Sequence, residues 1–214
     1  MVGEPVLINA PEVLAVGIEE CGEVLVAVTD VGIAVAADHP RVTSRDRMRF
    51  SCRGAVAEKL ARVQATLPSE IRVCVVEGYR PLALQQQYWE RVRAKLRGGH
   101  PRWSEAEVAD EAAKYVAPPW ITPPHLTGGA LDVVLLDRDG VELDMGCPLN
   151  EQCPQMMTGA EGLPPIASAN RQLLLSSMEA VGFVNYSHEW WHYSYGDRYW
   201  AFRTDAATAI YGGK

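Results

Sequence analysis

The sequence contains no run of 18 apolar residues, no internal repeat, no low-complexity tract and no cysteine pair at zinc-finger spacing. The first absence excludes a transmembrane helix, and the last makes cysteine an unexpected metal ligand. Met1-Val2-Gly3-Glu4-Pro5 carries no positive charge and no long apolar stretch follows it. That is not the pattern of a secretory signal, so a cytoplasmic location is expected. Positive charge is also in short supply: 20 Lys and Arg face 27 Asp and Glu, for a net charge of -7. Neither nucleic acid nor an anionic membrane is therefore expected as a partner, and the mildly basic stretch Arg91 to Arg102 reads as a solvated helix face. The five cysteines, Cys21, Cys52, Cys74, Cys147 and Cys153, are odd in number and scattered. Reduced thiols are the expectation, although Cys147 and Cys153 flank a Pro-rich loop and could bridge if oxidised.

What is present suits one soluble domain spanning 1–214. Apolar residues make up 48% and charged residues 22%, and a chain of this length buries roughly 70% of its unfolded surface. Val24–Val28 and Gly32–Ala36 look like strands joined by a tight turn at Asp30 to Gly32. Val56, Leu60, Val63 and Leu67 recur at helical spacing, and Pro68 ends that helix. Ile71–Val76 reads as a buried strand. A helix is expected from Pro81 to about Arg97, stopped by Gly98 and Gly99. Ser104 with Glu107 forms a capping-box signature for another, from Glu105 to about Val116. Leu131–Leu136 is a further strand, and residues 145–165 are irregular. Ser168 can cap a last major helix through Ala180, with Gly182 terminating it. Phe183–Tyr186 and Trp190–Tyr195 close the chain as strands. Without a regular βαβ alternation the class is α+β, with a central, mostly antiparallel sheet flanked by helices.

Two of the five histidines sit in unusual company. His125 stands on a Pro-stiffened loop in Pro123-Pro124-His125-Leu126-Thr127-Gly128-Gly129-Ala130-Leu131-Asp132. Asp132 follows in a strand whose other residues are apolar, sharing a face with Ala130, Val134 and Leu136. A carboxylate there is costly unless a metal or ion pair compensates it. His192 closes His188-Glu189-Trp190-Trp191-His192. Two imidazoles and a carboxylate with a nearby Glu are the inventory of a catalytic zinc site, three protein ligands leaving one position open and the Glu serving as general base. Glu189 and His192 are three apart, so both reach one site only if Glu189 sits at a kinked or bulged strand end. Upstream, Glu77-Gly78-Tyr79-Arg80-Pro81 lies at a strand-to-helix junction, where an Arg fork could hold a substrate carboxylate or an oxyanion. Taken singly, each residue has an ordinary reading: His125 a loop histidine, Asp132 a turn cap, Arg80 a helix-start cation, the Trp190-Trp191 pair core. For Cys74, His39, His100 and His188 the structural reading is preferred. The conjunction of the other groups points to zinc chemistry.

Together these segments resemble the D-alanyl-D-alanine dipeptidases of the vancomycin-resistance type. Those belong to a wider group of zinc peptidases with D,D-carboxypeptidases, lysostaphin-like endopeptidases and the hedgehog signalling domain. The pattern S-x-H-x-x-G-x-A-x-D is matched by His125, Gly128, Ala130 and Asp132, E-x-W-H by Glu189, Trp191 and His192, and G/A-Y-R-P by Gly78 to Pro81. The resemblance covers about residues 54 to 200, and the first fifty diverge from it. It implies zinc bound by His125, Asp132 and His192, with Glu189 as catalytic acid/base and Arg80 as oxyanion stabiliser. Tyr79, Asn150, Glu151 and Trp190 are the candidate substrate contacts, and a small dipeptide is the implied substrate. The chain departs from the pattern in having Pro123 where the motif has Ser. It also has Asn150 where the dipeptidases carry an acidic residue that receives the substrate ammonium. The alternatives are a D,D-carboxypeptidase, a biosynthetic zinc amide hydrolase, and a binding module that keeps zinc without catalysis. The presence of Glu189 argues against the last.

Overall fold

β-Branched and apolar residues concentrate in two long strands, and the rest of the fold is arranged around that pair. The computed structural model describes residues 6–40, 42 and 46–214; the reading of Met1–Pro5 lies outside them. The strands are β1 (Gly17–Ile18), β2 (Leu25–Ala27), β3 (Ala34–Val35), β4 (Ser51–Arg53), β5 (Arg72–Glu77), β6 (Ala130–Leu136), β7 (Val184–Asn185), β8 (His192–Ser194) and β9 (Thr208–Ala209). The helices are α1 (Pro11–Leu14), α2 (Gly54–Thr66), α3 (Leu82–Gly99), α4 (Glu105–Ala112), α5 (Pro124–Thr127), α6 (Pro165–Glu179) and α7 (Arg198–Arg203). The central sheet has the order β3-β5-β6-β8-β7. Only the β3–β5 pair is parallel; the other three pairings are antiparallel. This is the expected α+β arrangement.

The core is where periodicity placed it. Val56, Leu60 and Val63 of α2 are fully buried, with Leu174 and Met178 of α6 and the alternating Leu131, Val133 and Leu135 of β6. Each such side chain contributes about 1.5–3 kcal/mol by leaving water. β6 is buried from Ala130 to Leu135, so its polar residue, Asp132, lies in the interior. Ser104 and Glu107 cap α4 reciprocally, as their spacing predicts. Among the described residues no helix is long and apolar enough to cross a membrane.

Several expectations are corrected. The first two apolar runs do not form a hairpin: Val28–Val31 curls into a 3-10 turn closed by Gly32 at φ 79. That turn diverts β2 to pair with β4, while β3 joins the central sheet beside β5. α6 starts at Pro165 rather than after Ser168, because a proline at the first helical position needs no N–H partner. α4 stops at Ala112, four residues short of Val116. Five reduced thiols were expected, but Cys147 and Cys153 are bridged, leaving Cys21, Cys52 and Cys74 free. The loop is drawn closed by Arg171, which donates from Nε to the Met145 carbonyl at 2.7 Å and from Nη1 to that of Met157 at 2.6 Å. That closure brings the two cysteine Cα atoms to 6.8 Å, within bridging reach.

Candidate active site

Sheet register assembles the polar centre. Glu77 of β5 lies opposite Asp132 of β6, and Asp132 lies opposite His192 of β8. One row across three strands therefore carries three of the side chains in question, all buried. A β-bulge between Val75 and Glu77 re-aims the end of β5 at this row.

His125 enters from α5, a single turn started by Pro124 and ended by Gly128 at φ 73. The expected Pro-stiffened loop is thus a helical turn. A Cβ at Gly128 would lie 2.4 Å from Leu25 Cδ2, and one at Gly78 would lie 2.5 Å from the Ser51 carbonyl oxygen. Glycine at these two places lets the end of α5 close on β2 and the Gly78–Arg80 segment close on β4. The imidazole Nδ1 of His125 sits 2.8 Å from the Gly78 carbonyl, and Arg80 N–H donates to the His125 carbonyl at 3.0 Å. The carbonyl fixes the tautomer, with the proton on Nδ1 and the Nε2 lone pair aimed into the site.

Nε2 of His125 is 3.5 Å from Asp132 Oδ1, and Nδ1 of His192 is 3.2 Å from the same oxygen. Donor atoms of all three residues lie within 4.8 Å of one another, and all three residues are buried. The donor set and spacing fit zinc. Tetrahedral bonds of about 2.0–2.1 Å to nitrogen and oxygen imply ligand-to-ligand separations of about 3.3–3.4 Å. Burial pushes the Asp132 carboxyl up, but the His125 and His192 imidazoles outweigh it and hold the group below the usual carboxylate range. Behind His192, Nε2 faces the Ser194 hydroxyl at 3.5 Å.

Glu189 precedes β8 in a turn, with His192 N–H donating to the Glu189 carbonyl at 3.3 Å. The kinked strand end required by the three-residue spacing is present, and it brings Glu189 Oε2 to 3.9 Å from His192 Nδ1. Burial raises the Glu189 carboxyl to about 7, against the opposing pull of His192; the Asp132 charge also raises it and Arg80 lowers it. Arg80 grips the buried Glu77 twice, Nε to Oε1 at 3.0 Å and Nη2 to Oε2 at 2.7 Å. Its Nη1 donates to Gln85 Oε1 at 2.8 Å, and Gln85 is itself anchored on the Ala117 carbonyl at 2.6 Å. These bonds engage three of the five guanidinium donors. Burial works to lower the Arg80 pKa, but the Glu77 charge and hydrogen bonds prevail and raise it.

His125, Asp132, His192, Glu189 and Arg80 all line one cleft of about 280 Å³, and Asn150 stands on its wall. Its size is near the lower end of small-molecule sites. The other three candidate contacts are not brought to the wall. Tyr79 turns away, its hydroxyl donating to the Lys214 carbonyl at 2.9 Å. Trp190 is 1% exposed and donates from Nε1 to the Cys147 carbonyl at 2.9 Å, so it supports the disulfide loop as core. The wall takes Gln152 rather than Glu151 from that loop. Sequence reasoning missed Glu77 and Gln85 as the residues that hold Arg80. Glu77 left a signal, a carboxylate ending an otherwise apolar strand; Gln85, inside an amphipathic helix, left none.

Residues 40–207 match the peptidase M15 family, described as D-ala-D-ala dipeptidase. A Synechocystis protein named D-alanyl-D-alanine dipeptidase is 29% identical over 89% of both chains. An Escherichia coli protein of the same name is 30% identical over 58% of this chain and 55% of its own. Among solved structures, VanYB in complex with D-Alanine-D-Alanine aligns over 72% of this chain and 78% of that one, at 18% identity and a TM-score of 0.47. The match across residues 40–207 shows that the chain belongs to the D-Ala-D-Ala dipeptidase family of M15 peptidases.

Proposed function

We propose that the chain is a zinc-dependent peptidase hydrolysing D-alanyl-D-alanine or a related small dipeptide. One observation carries this reading: three buried donors spaced for tetrahedral zinc, with a carboxylate 3.9 Å from one of them and outside the ligand set. His125 Nε2, Asp132 Oδ1 and His192 Nδ1 would hold the metal. When bound, zinc supplies Lewis acidity toward a carbonyl and makes a water acidic near neutral pH. Glu189, 3.9 Å from His192 Nδ1 and outside the ligand set, takes the proton of the attacking water and passes it to the departing amine. Arg80, immobilised by Glu77 and Gln85, presents its remaining N–H groups to the oxygen that becomes negative during attack. Two relatives in the family carry the D-alanyl-D-alanine dipeptidase name over half or more of this chain, which supports the substrate. The test is release of free D-alanine from D-Ala-D-Ala by zinc-loaded protein, beside a Glu189→Gln control. Release by the wild type and a loss of at least about a hundredfold in the variant is expected for a general base. No release by protein carrying one zinc per chain contradicts the reading.

A further inference from the structure

The two imidazoles of the metal set are held differently. At His125 the partner of Nδ1 is the Gly78 carbonyl, which only accepts, so the ring proton is fixed on Nδ1. His192 presents the other nitrogen: Nδ1 lies 3.2 Å from Asp132 Oδ1, and Nε2 faces the Ser194 hydroxyl at 3.5 Å. For Nδ1 to offer a lone pair to a metal, the ring proton must sit on Nε2. A hydroxyl both donates and accepts, so Ser194 alone does not choose between the two tautomers. An acceptor-only group behind Ser194 does choose, because it takes the hydroxyl proton and leaves the oxygen to receive Nε2–H.

Asp197 supplies such a group. The chain leaves β8 at Ser194, passes Gly196 at φ 75 and enters α7 with Asp197 as its cap. Ser194 is fully buried and Asp197 is 1% exposed. Asp197 Oδ1 accepts the Trp200 N–H at 2.8 Å, which is the capping bond. Oδ2 is buried and has no partner at hydrogen-bonding distance among the described residues, so capping accounts for one oxygen only. Burial raises the Asp197 carboxyl, while the Trp200 N–H, the Ser194 hydroxyl and the His192 and His125 imidazoles pull it down. The carboxylate thus stands behind the metal set, within the influence of the hydroxyl and of both rings.

We infer that Asp197 is a positioning residue for the metal: through the Ser194 hydroxyl it keeps the His192 proton on Nε2 and the Nδ1 lone pair toward zinc. This rests on the zinc-site reading above. The test is the zinc dissociation constant of the full chain, by chelator competition, in wild type, Asp197→Asn, Ser194→Ala and the double variant. Asparagine keeps a capping oxygen, but its amide donates to Ser194, which turns the hydroxyl into a donor toward Nε2 and favours the wrong tautomer. Partners behind metal-bound histidines are worth about 10–100-fold in affinity, so each single variant should weaken zinc binding by about that factor. With Ser194→Ala already in place, Asp197→Asn should weaken binding by less than about threefold more. Wild-type affinity in Asp197→Asn overturns the inference and leaves the zinc site intact. An equal loss from Asp197→Asn in both backgrounds overturns the relay through Ser194. Should Asp197→Asn fail to fold, Ser194→Ala, which deletes one buried oxygen, carries the test, and wild-type affinity there overturns the inference. A wild type that binds no zinc overturns both the inference and the reading it rests on.

Discussion

Replacing Glu77 by Gln tests how the site is held together. Glu77 is 1% exposed and Arg80 is 11% exposed at its side chain, and two hydrogen bonds of 3.0 and 2.7 Å join them. The amide keeps the size and one acceptor but removes the charge and turns the second acceptor into a donor facing a donor. Removing one partner of a buried ion pair costs about 3–5 kcal/mol. The retained acceptor, the Gln85 contact and the slight exposure of Arg80 put Glu77→Gln near the lower end, at about 3 kcal/mol. For a chain of this length each kcal/mol moves the midpoint by about 2–4 °C, so Tm should fall by about 6–12 °C. Circular dichroism melts of zinc-loaded protein give that number. Catalysis should suffer more than the metal: a misplaced oxyanion donor costs about a hundredfold or more in kcat, while zinc content stays near wild type. A Tm within about 2 °C of wild type together with an unchanged kcat would refute the claim that Glu77 holds Arg80.

Two further outcomes follow from the fully buried Arg53, which ties the turn bearing His125 to both ends of the chain. Its Nε donates to the Thr127 carbonyl at 2.6 Å, and its Nη groups reach the Glu20 carboxylate and the Glu23 and Gly212 carbonyls. Arg53→Met should lose about 3–5 kcal/mol in urea titration, since the Glu20 charge and three carbonyls lose their donor; a loss below 1 kcal/mol would contradict the clamp. The Arg53 hydrogen bond holds the Glu20 carboxyl down, from 4.5 to about 2, against the opposing effect of burial. A lowered folded pKa stabilises the fold above pH 4.5 and is lost as pH falls from 4.5 toward 2. About a third of the Glu20 side chain is exposed, so the effect is discounted to about 1–2 kcal/mol. Glu20→Gln should flatten that part of the stability–pH curve.

The parts of the molecule legible in the sequence are those written in local chemistry. The α2 stripe, the Ser104–Glu107 cap and the two long strands follow from spacing and capping, and each is found within a few residues of its expected place. His125, Asp132, His192 and Glu189 were legible because a polar group in an apolar strand and a Glu three residues before a His both need an explanation. The long-range pairings were not legible. Nothing local says that β2 turns to β4 or that β3 runs parallel to β5, since a 3-10 turn and a hairpin turn share Asp and Gly. β1 pairing with β9 joins segments about 190 residues apart, two residues each, too short to show any alternation. Trp190 illustrates the opposite error: beside Glu189 it suggests a substrate platform, yet its indole is core and its N–H is spent on the Cys147 carbonyl.

The central claim is that His125, Asp132 and His192 form one zinc site and that Glu189 stands outside it. The direct measurement is zinc per chain after dialysis against excess zinc and removal of the unbound metal, in wild type, Asp132→Asn, His192→Ala and Glu189→Gln. One zinc per chain in wild type and Glu189→Gln, with loss in the other two variants, is the predicted result. Full zinc retention in Asp132→Asn and His192→Ala, or its loss in Glu189→Gln, would contradict it.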